Sequence, residues 1–211
     1  MDVKNNSLFY GLSDIEFEKS LNLFNAKSIH YDKGDMIKSS GDALKYFGVV
    51  KSGSVNVCID DMDGNRTIMS TVEGGNSFGE ALCVMEDRSP IYIYANEKSE
   101  VLWLDAKNLY IEPFDSTKLN LQKKFTLLLA KRTLEKNNHI QILSKLTIRE
   151  KIIAYLSFLS KAQNSKTITV PINREDMAVY IGVNRSALSR ELTKMKADGI
   201  IDYYKNTFKL K

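Results

Sequence analysis

Apolar and polar positions alternate with two different periods along the chain, and the change of period divides it. Phe17, Leu21 and Phe24 recur at spacings of four and three within a polar segment. Ser13 stands three residues before Glu16, so a capped amphipathic helix is expected there. From about His30 to Asp105 the pattern becomes short β-rich runs broken by glycine turns. Tyr46 to Val50 and Ser54 to Ile59 flank a Lys51-Ser52-Gly53 turn, and Asp63-Gly64 marks a second hairpin before Thr67 to Val72. Ile91 to Tyr94 and Val101 to Leu104 are apolar on both faces, as inner strands of a sandwich or barrel are. After Pro113, residues Ser116 to Leu143 contain neither Gly nor Pro and predict one long helix. Leu121, Phe125 and Leu128 follow a four-then-three spacing on it, and Ile140 and Leu143 resume the apolar stripe. That stripe is expected to be a dimer seam. A hinge is expected at Leu143 to Thr147, followed by a helix from Ile148 to Leu159 that buries Ile152, Ile153, Leu156 and Leu159.

The last part of the chain carries the most specific pattern. Thr167 to Val170 predicts a short strand halted by Pro171. Asn173 is placed to cap a helix that turns Met177, Ala178 and Ile181 inward and ends near Gly182. Asn184 caps a second helix, Arg185 to Asp198, which Gly199 ends. Two helices joined by so short a turn cross steeply. They need a small residue at the contact (Ala178), a permissive turn residue (Gly182) and an aliphatic plug (Leu188), which is the spacing of a DNA-binding helix-turn-helix. Ile200 to Tyr204 and Thr207 to Leu210 add a hairpin wing. Opposite Leu188 and Leu192 the second helix presents Arg185, Ser186, Ser189 and Arg190. Arg185, Ser186 and Arg190 are the expected base readers, and Lys194, Lys196, Lys205 and Lys209 the expected phosphate contacts.

Charge agrees with this division. From Lys145 onward 13 Lys and Arg stand against 6 Asp and Glu, whereas the preceding residues hold 17 against 20. A basic end on an acidic body fits a polyanion held by that end. No run approaches the roughly 20 apolar residues of a membrane span, and the polar start is not signal-like, so a cytoplasmic location is expected. With two histidines and two cysteines, Cys58 and Cys83, the chain lacks the clusters of a metal enzyme, and no HExxH, GxSxG or P-loop occurs.

In order and spacing, the chain resembles the catabolite-activator (Crp–Fnr) superfamily of bacterial regulators. The resemblance rests on Lys51-Ser52-Gly53-Ser54-Val55, Gly75 to Leu82, Arg88-Ser89, Val101 to Leu104, the long helix, and Asn184 to Arg190. It implies an α+β fold in three parts. These are an N-terminal β-roll (a cyclic-nucleotide-binding-like jelly roll) in residues 1–115, a long dimerisation helix and hinge in 116–146, and a C-terminal winged helix-turn-helix in 147–211. It also implies a homodimer formed through the long helix. The partners implied are a double-stranded palindromic operator and RNA polymerase, with no membrane and no catalytic activity.

The resemblance further implies a small-molecule effector in the β-roll, near Gly79, Glu80, Ala81, Arg88 and Ser89, with Lys136 and Asn137 from the long helix. In the cyclic-AMP binders these positions meet ribose and phosphate. Here the segment from Glu80 to Arg88 is about two residues shorter than in that pattern. Pro90 replaces a small residue, and Lys136-Asn137 stands where Thr-Ser would face adenine. An acidic or phosphorylated effector of another type is therefore favoured over cyclic AMP. Two cysteines exclude an iron–sulfur cluster of four thiolates, and no axial ligand set for haem clusters. His139 is expected to be packed or solvated, and Cys83 to be a small buried hydrophobe. Ser186 stands where the cyclic-AMP binders carry a glutamate, so a different operator base is expected there. A constitutive DNA binder whose β-roll serves only dimer assembly is the competing reading.

Overall fold

The structure, a computed structural model, describes all residues except 1, 2, 61, 62, 64, 65 and 87. Gly64, the second residue of the expected Asp63-Gly64 hairpin, therefore lies outside the described residues. Packing divides the chain into two units, residues 1–130 and 131–211. This division falls inside the long helix.

The first unit opens with α1 (Asp14–Leu23), held by a reciprocal cap: Ser13 Oγ accepts from Glu16 N–H, and the Glu16 carboxylate accepts from Ser13 N–H at 2.8 Å. Then follow β1 (Lys27–Tyr31), β2 (Met36–Lys38), β3 (Phe47–Ser52), β4 (Ser54–Asp60), β5 (Arg66–Glu73), β6 (Ser77–Phe78), α2 (Glu80–Met85), β7 (Tyr92–Ala95) and β8 (Ser99–Leu104). They form two four-stranded antiparallel sheets, β1-β8-β3-β6 and β2-β7-β4-β5. β3 and β4 flank the Lys51-Ser52-Gly53 turn but do not pair with each other. The chain crosses from one sheet to the other at Gly53, where φ is +76° and a Cβ would overlap the Lys98 carbonyl oxygen. Only glycine turns this corner without strain.

The first sheet is apolar on both faces because it has a core on each. Along β8, Val101 and Trp103 face Phe78, Ile93, Val50 and Val55 between the two sheets. Leu102 and Leu104 face the opposite way, towards Phe24, Phe47 and the first half of α3 (Ser116–Leu143). This second core corrects the expected seam. Leu121, Phe125 and Leu128 are buried against the chain's own β-roll, with the Phe125 and Phe47 rings 5.3 Å apart. A four-then-three spacing marks an apolar helix face, and a sheet covers that face as well as a partner helix does.

In the second unit the end of α3 contributes Ile142 to a core shared with α4 (Ile148–Gln163), β9 (Thr167–Thr169), α5 (Arg174–Tyr180), α6 (Arg185–Ala197), β10 (Ile201–Tyr204) and β11 (Thr207–Leu210). The strands form one sheet in the order β10-β11-β9. Of the residues expected inward on α4, Ile152 and Leu156 are buried, and Ile153 and Leu159 are partly so. Thr147 and Glu150 make a second reciprocal cap at the start of α4. His139 is a packed histidine: its ring stacks on Tyr180 at 4.3 Å and its Nε2 meets the Tyr180 carbonyl oxygen at 2.7 Å. Among the described residues no helix is long and apolar enough to cross a membrane.

Burial, with the neighbouring Tyr180, pushes the Tyr155 phenol from 10 up to about 12. In the unfolded chain this phenol ionises near its ordinary value, whereas the folded unit holds it protonated. The stability it contributes is thus complete below pH 10 and is lost as pH rises to about 12. The expected loss is on the order of 2–3 kcal/mol. Tyr155→Phe should remove this part of the alkaline loss, read as the difference between variant and parent in urea unfolding at about pH 9 and about pH 11.5.

Candidate nucleic-acid interface and effector region

Local chemistry builds the helix-turn-helix. Asn173 Oδ1 accepts from the N–H groups of Glu175 and Asp176 at 2.8 and 2.9 Å, which starts α5. Gly182 then turns the chain at φ +66°. A Cβ there would stand 3.0 Å from Leu143 Cδ2, so the turn lies close against the end of α3. Asn184 Oδ1 accepts from Ala187 N–H at 2.7 Å and starts α6. Ala178 and Leu188 are both buried where the two helices meet, as their spacing required. Arg149 holds α6 to α4 through Glu191 at 2.6 Å and Asp198 at 2.7 Å.

With Leu188, Leu192 and Met195 buried, the other side of α6 is left to solvent. Arg185, Ser186, Ser189, Arg190 and Lys194 are all exposed. Among the described residues Arg185, Arg190 and Lys194 form no salt bridge, so their charge is available to a polyanion. Ser186 donates its hydroxyl proton to Asn184 Oδ1 at 2.9 Å and thus turns its lone pairs outward as an acceptor. Thr193 lies on the same stripe, four residues beyond Ser189 and three beyond Arg190, and is exposed. Sequence reasoning missed it, although helical periodicity could have found it.

Two basic residues brace the wing. Lys196, expected at phosphate, is held by Asp202 at 2.7 Å and by the Tyr203 carbonyl oxygen at 3.2 Å, so it ties α6 to β10. Arg174 lies over the Phe208 and Tyr203 rings, at 4.5 and 5.4 Å from their centroids, and donates to the Lys205 carbonyl oxygen. It thereby fixes the wing turn, where Lys205 has φ +50°. Nothing in the sequence signalled this contact, because it joins residues 31 apart in the chain. Together with Arg185 and Lys205, Arg174 lines a groove between the start of α5 and the wing.

In the β-roll, Gly79 takes φ +80° at the start of α2, and a Cβ on it would overlap Leu44 Cδ2. Glu80 is only 4% exposed, and its carboxylate accepts from Ser77 Oγ. Ala81 and Arg88 are exposed and Ser89 is partly buried. The Ser89 carbonyl accepts from Gly41 N–H at 3.0 Å and from Lys38 Nζ at 3.3 Å. Lys38, unremarked in the sequence, is itself 4% exposed, and its ammonium also meets the carbonyls of Ser39 and Ile91. A buried ammonium that meets three carbonyls among the described residues is an anchor, and it holds the loop that carries Arg88 and Ser89. Lys136 and Asn137 are exposed on the second half of α3. Cys83 donates from Sγ to the Lys45 carbonyl oxygen at 3.1 Å, and burial pushes its thiol up, as suits a small buried hydrophobe.

Comparison with known proteins agrees with both parts. Residues 28–110 match the cyclic nucleotide-binding domain, and residues 150–211 match the Crp-like helix-turn-helix domain. The chain is 25% identical over 199 residues to the cyclic AMP receptor protein of Thermus thermophilus, covering 94% of this chain and 89% of that protein. It is 23% identical over 180 residues to the nitrogen fixation regulation protein FixK of Bradyrhizobium diazoefficiens, covering 83% and 74%. The crystal structure of the Thermus thermophilus catabolite activator protein shares the fold, with a TM-score of 0.56 at 22% identity over 98% of this chain and 94% of that one. A β-roll that matches the cyclic nucleotide-binding domain, followed by a capped, winged helix pair of the Crp type, makes this chain a member of the Crp–Fnr family of DNA-binding transcription regulators.

Proposed function

We propose that this regulator acts as a cytoplasmic homodimer on an inverted-repeat operator and is controlled by a small anionic effector held in the β-roll. The observation that carries the DNA reading is the outward stripe of α6, where Ser186, Ser189, Arg190 and Thr193 stand exposed on a helix fixed from behind by Leu188, Leu192 and Arg149. Arg190 supplies the fork that guanine O6 and N7 accept, and Ser186 accepts from an amino group of cytosine or adenine. Arg185, in the first turn of α6, is a second base reader, and Lys194 adds phosphate attraction.

Dimerisation rests on the face of α3 that the β-roll leaves uncovered. Leu119, Leu127 and Leu134 are exposed at 55%, 59% and 63%. Their spacing, with Ala130 between them, lines them along one side of the helix, opposite Leu121, Phe125 and Leu128. An apolar stripe of this length fits a second copy of the same helix. The operator test is selection from random duplexes by the purified protein. Two inverted half-sites with centres about 10 base pairs apart are expected. Recovery of a lone half-site, or of no consensus, would overturn the dimer or the recognition reading.

Effector control is supported by Gly79, Glu80, Ala81, Arg88 and Ser89, which bring a helix start, a carboxylate and an exposed guanidinium to the β-roll. A relative carries cyclic AMP in its name, so cyclic AMP is the first compound to titrate, by calorimetry, with Arg88→Ala as control. Saturable heat that the variant loses would identify these residues as a nucleotide site. No heat from the parent protein removes cyclic AMP, and unchanged operator affinity across other anionic metabolites would favour a constitutive binder.

A further inference from the structure

Elsewhere in the β-roll, entirely within residues 1–130, a cleft of about 360 Å³ opens beside β1. None of Gly79, Glu80, Ala81, Arg88 or Ser89 lines it. Its apolar surface comes from Ile29 of β1, Ile37 of β2, Leu44 of the β2–β3 connection and Trp103 of β8. Its polar groups are Asn25, Lys27, Lys45 and the hydroxyls of Tyr31 and Tyr46, so its only charges are two ammonium groups, and no acidic residue lines it. Lys45 also faces Glu86, but that carboxylate is engaged by Lys107 at 2.5 Å. An apolar pocket of this size with a few polar groups and charge of one sign is the usual form of a small-ligand site.

The Tyr31 hydroxyl accepts from Trp103 Nε1 at 3.1 Å. Among the described residues its own proton has no acceptor, which leaves a phenol donor at the cleft. Burial pushes this phenol up, with Asp35 acting the same way, so it keeps its proton at neutral pH.

We propose that this cleft binds a small aromatic carboxylate, with its ring among Ile29, Ile37, Leu44 and Trp103 and its charge met by Lys27, Lys45 and the Tyr31 hydroxyl. The flat apolar walls suit a ring. Two ammonium groups and a free phenol donor suit an anion that accepts hydrogen bonds. The site does not depend on the effector reading of Gly79 to Ser89 and stands if that reading fails. It is nevertheless connected to that segment by shared atoms. Leu44 lines the cleft and also abuts Gly79, and the Lys45 carbonyl receives the Cys83 thiol of α2. A ligand that displaces Leu44 therefore presses on the turn that starts α2.

Trp103 is the single tryptophan of the chain, so its emission reports on the cleft. The full-length protein is titrated with benzoate and with benzamide, its uncharged isostere, at constant ionic strength. A saturable emission change with benzoate is expected, with benzamide at least about tenfold weaker. Tyr31→Phe, and separately a Lys27→Gln/Lys45→Gln double variant, should each weaken benzoate about tenfold. Both lysines are exposed, so the double variant should keep the fold and its apo emission should match the parent. Arg88→Ala should leave benzoate binding unchanged. Non-saturable quenching, equal affinity for benzamide, or variants that bind as the parent does would overturn the proposal. So would loss of benzoate binding in Arg88→Ala, which would move the anion to the other segment.

Discussion

Phe125→Ala is expected to destabilise the N-terminal unit by about 3–5 kcal/mol, as measured by urea unfolding. The ring is fully buried at the centre of the core that joins α3 to the first sheet, between Leu121 and Leu128 and 5.3 Å from Phe47. Truncation removes the transfer energy of the ring and leaves a cavity between two rigid elements that close poorly around it. The opposite face of the same helix should behave differently. Leu127→Ala with Leu134→Ala should change protomer unfolding by about 0.5 kcal/mol or less per site. By sedimentation, however, it should shift the protein from dimer to monomer. If Phe125→Ala dissolves the dimer without loss of stability, the two faces of α3 have been assigned the wrong way round.

Arg190→Ala is expected to weaken binding to the selected operator by about 1–3 kcal/mol and to relax preference at one base position in each half-site. The guanidinium is exposed and unpaired with any acid among the described residues, so its removal exposes no buried charge and leaves α6 intact. The loss should vanish on non-operator DNA, which cannot offer the guanine edge. Lys194→Ala provides the contrast, with a uniform loss on all sequences and a salt slope reduced by about 1. An equal loss on every sequence for Arg190→Ala would make it a phosphate contact instead. Swapping the base opposite Ser186 should show a preference for an amino group, because that hydroxyl has given its proton to Asn184.

Much of this architecture was legible from residue types at fixed spacing. The Ser13, Asn173 and Asn184 caps, the Ala178–Gly182–Leu188 crossing and the glycine turns are local. Each depends on dihedral preference or on a side chain reaching its own backbone within a few residues. Ser116 to Leu143 likewise read as one helix because nothing within it breaks the backbone ladder. On α6, the exposure of Arg185, Ser186, Ser189 and Arg190 was legible from their position opposite Leu188 and Leu192, and Thr193 was overlooked on the same stripe.

What was not legible depends on partners distant in the chain. Lys196 and Arg174 are equivalent to other surface cations in sequence, yet Asp202 and the Lys205 carbonyl give them structural duties. Lys38 looks like an ordinary strand lysine until the loop at residues 89–91 folds over it. The turn at Gly53 reads as a hairpin, because period alone does not say which strand lies alongside β4.

The sequence by itself therefore determined the main element types, the caps at Ser13, Asn173 and Asn184, the helix-turn-helix and, through these, the family, because each rests on short-range stereochemistry. Only the tertiary structure decided which face of α3 the β-roll consumes, which cations remain free for DNA, and that Tyr31 and Trp103 share the wall of a cleft. Burial and pairing are properties of whichever surfaces meet, and an apolar stripe or a lysine carries no mark of its eventual neighbour.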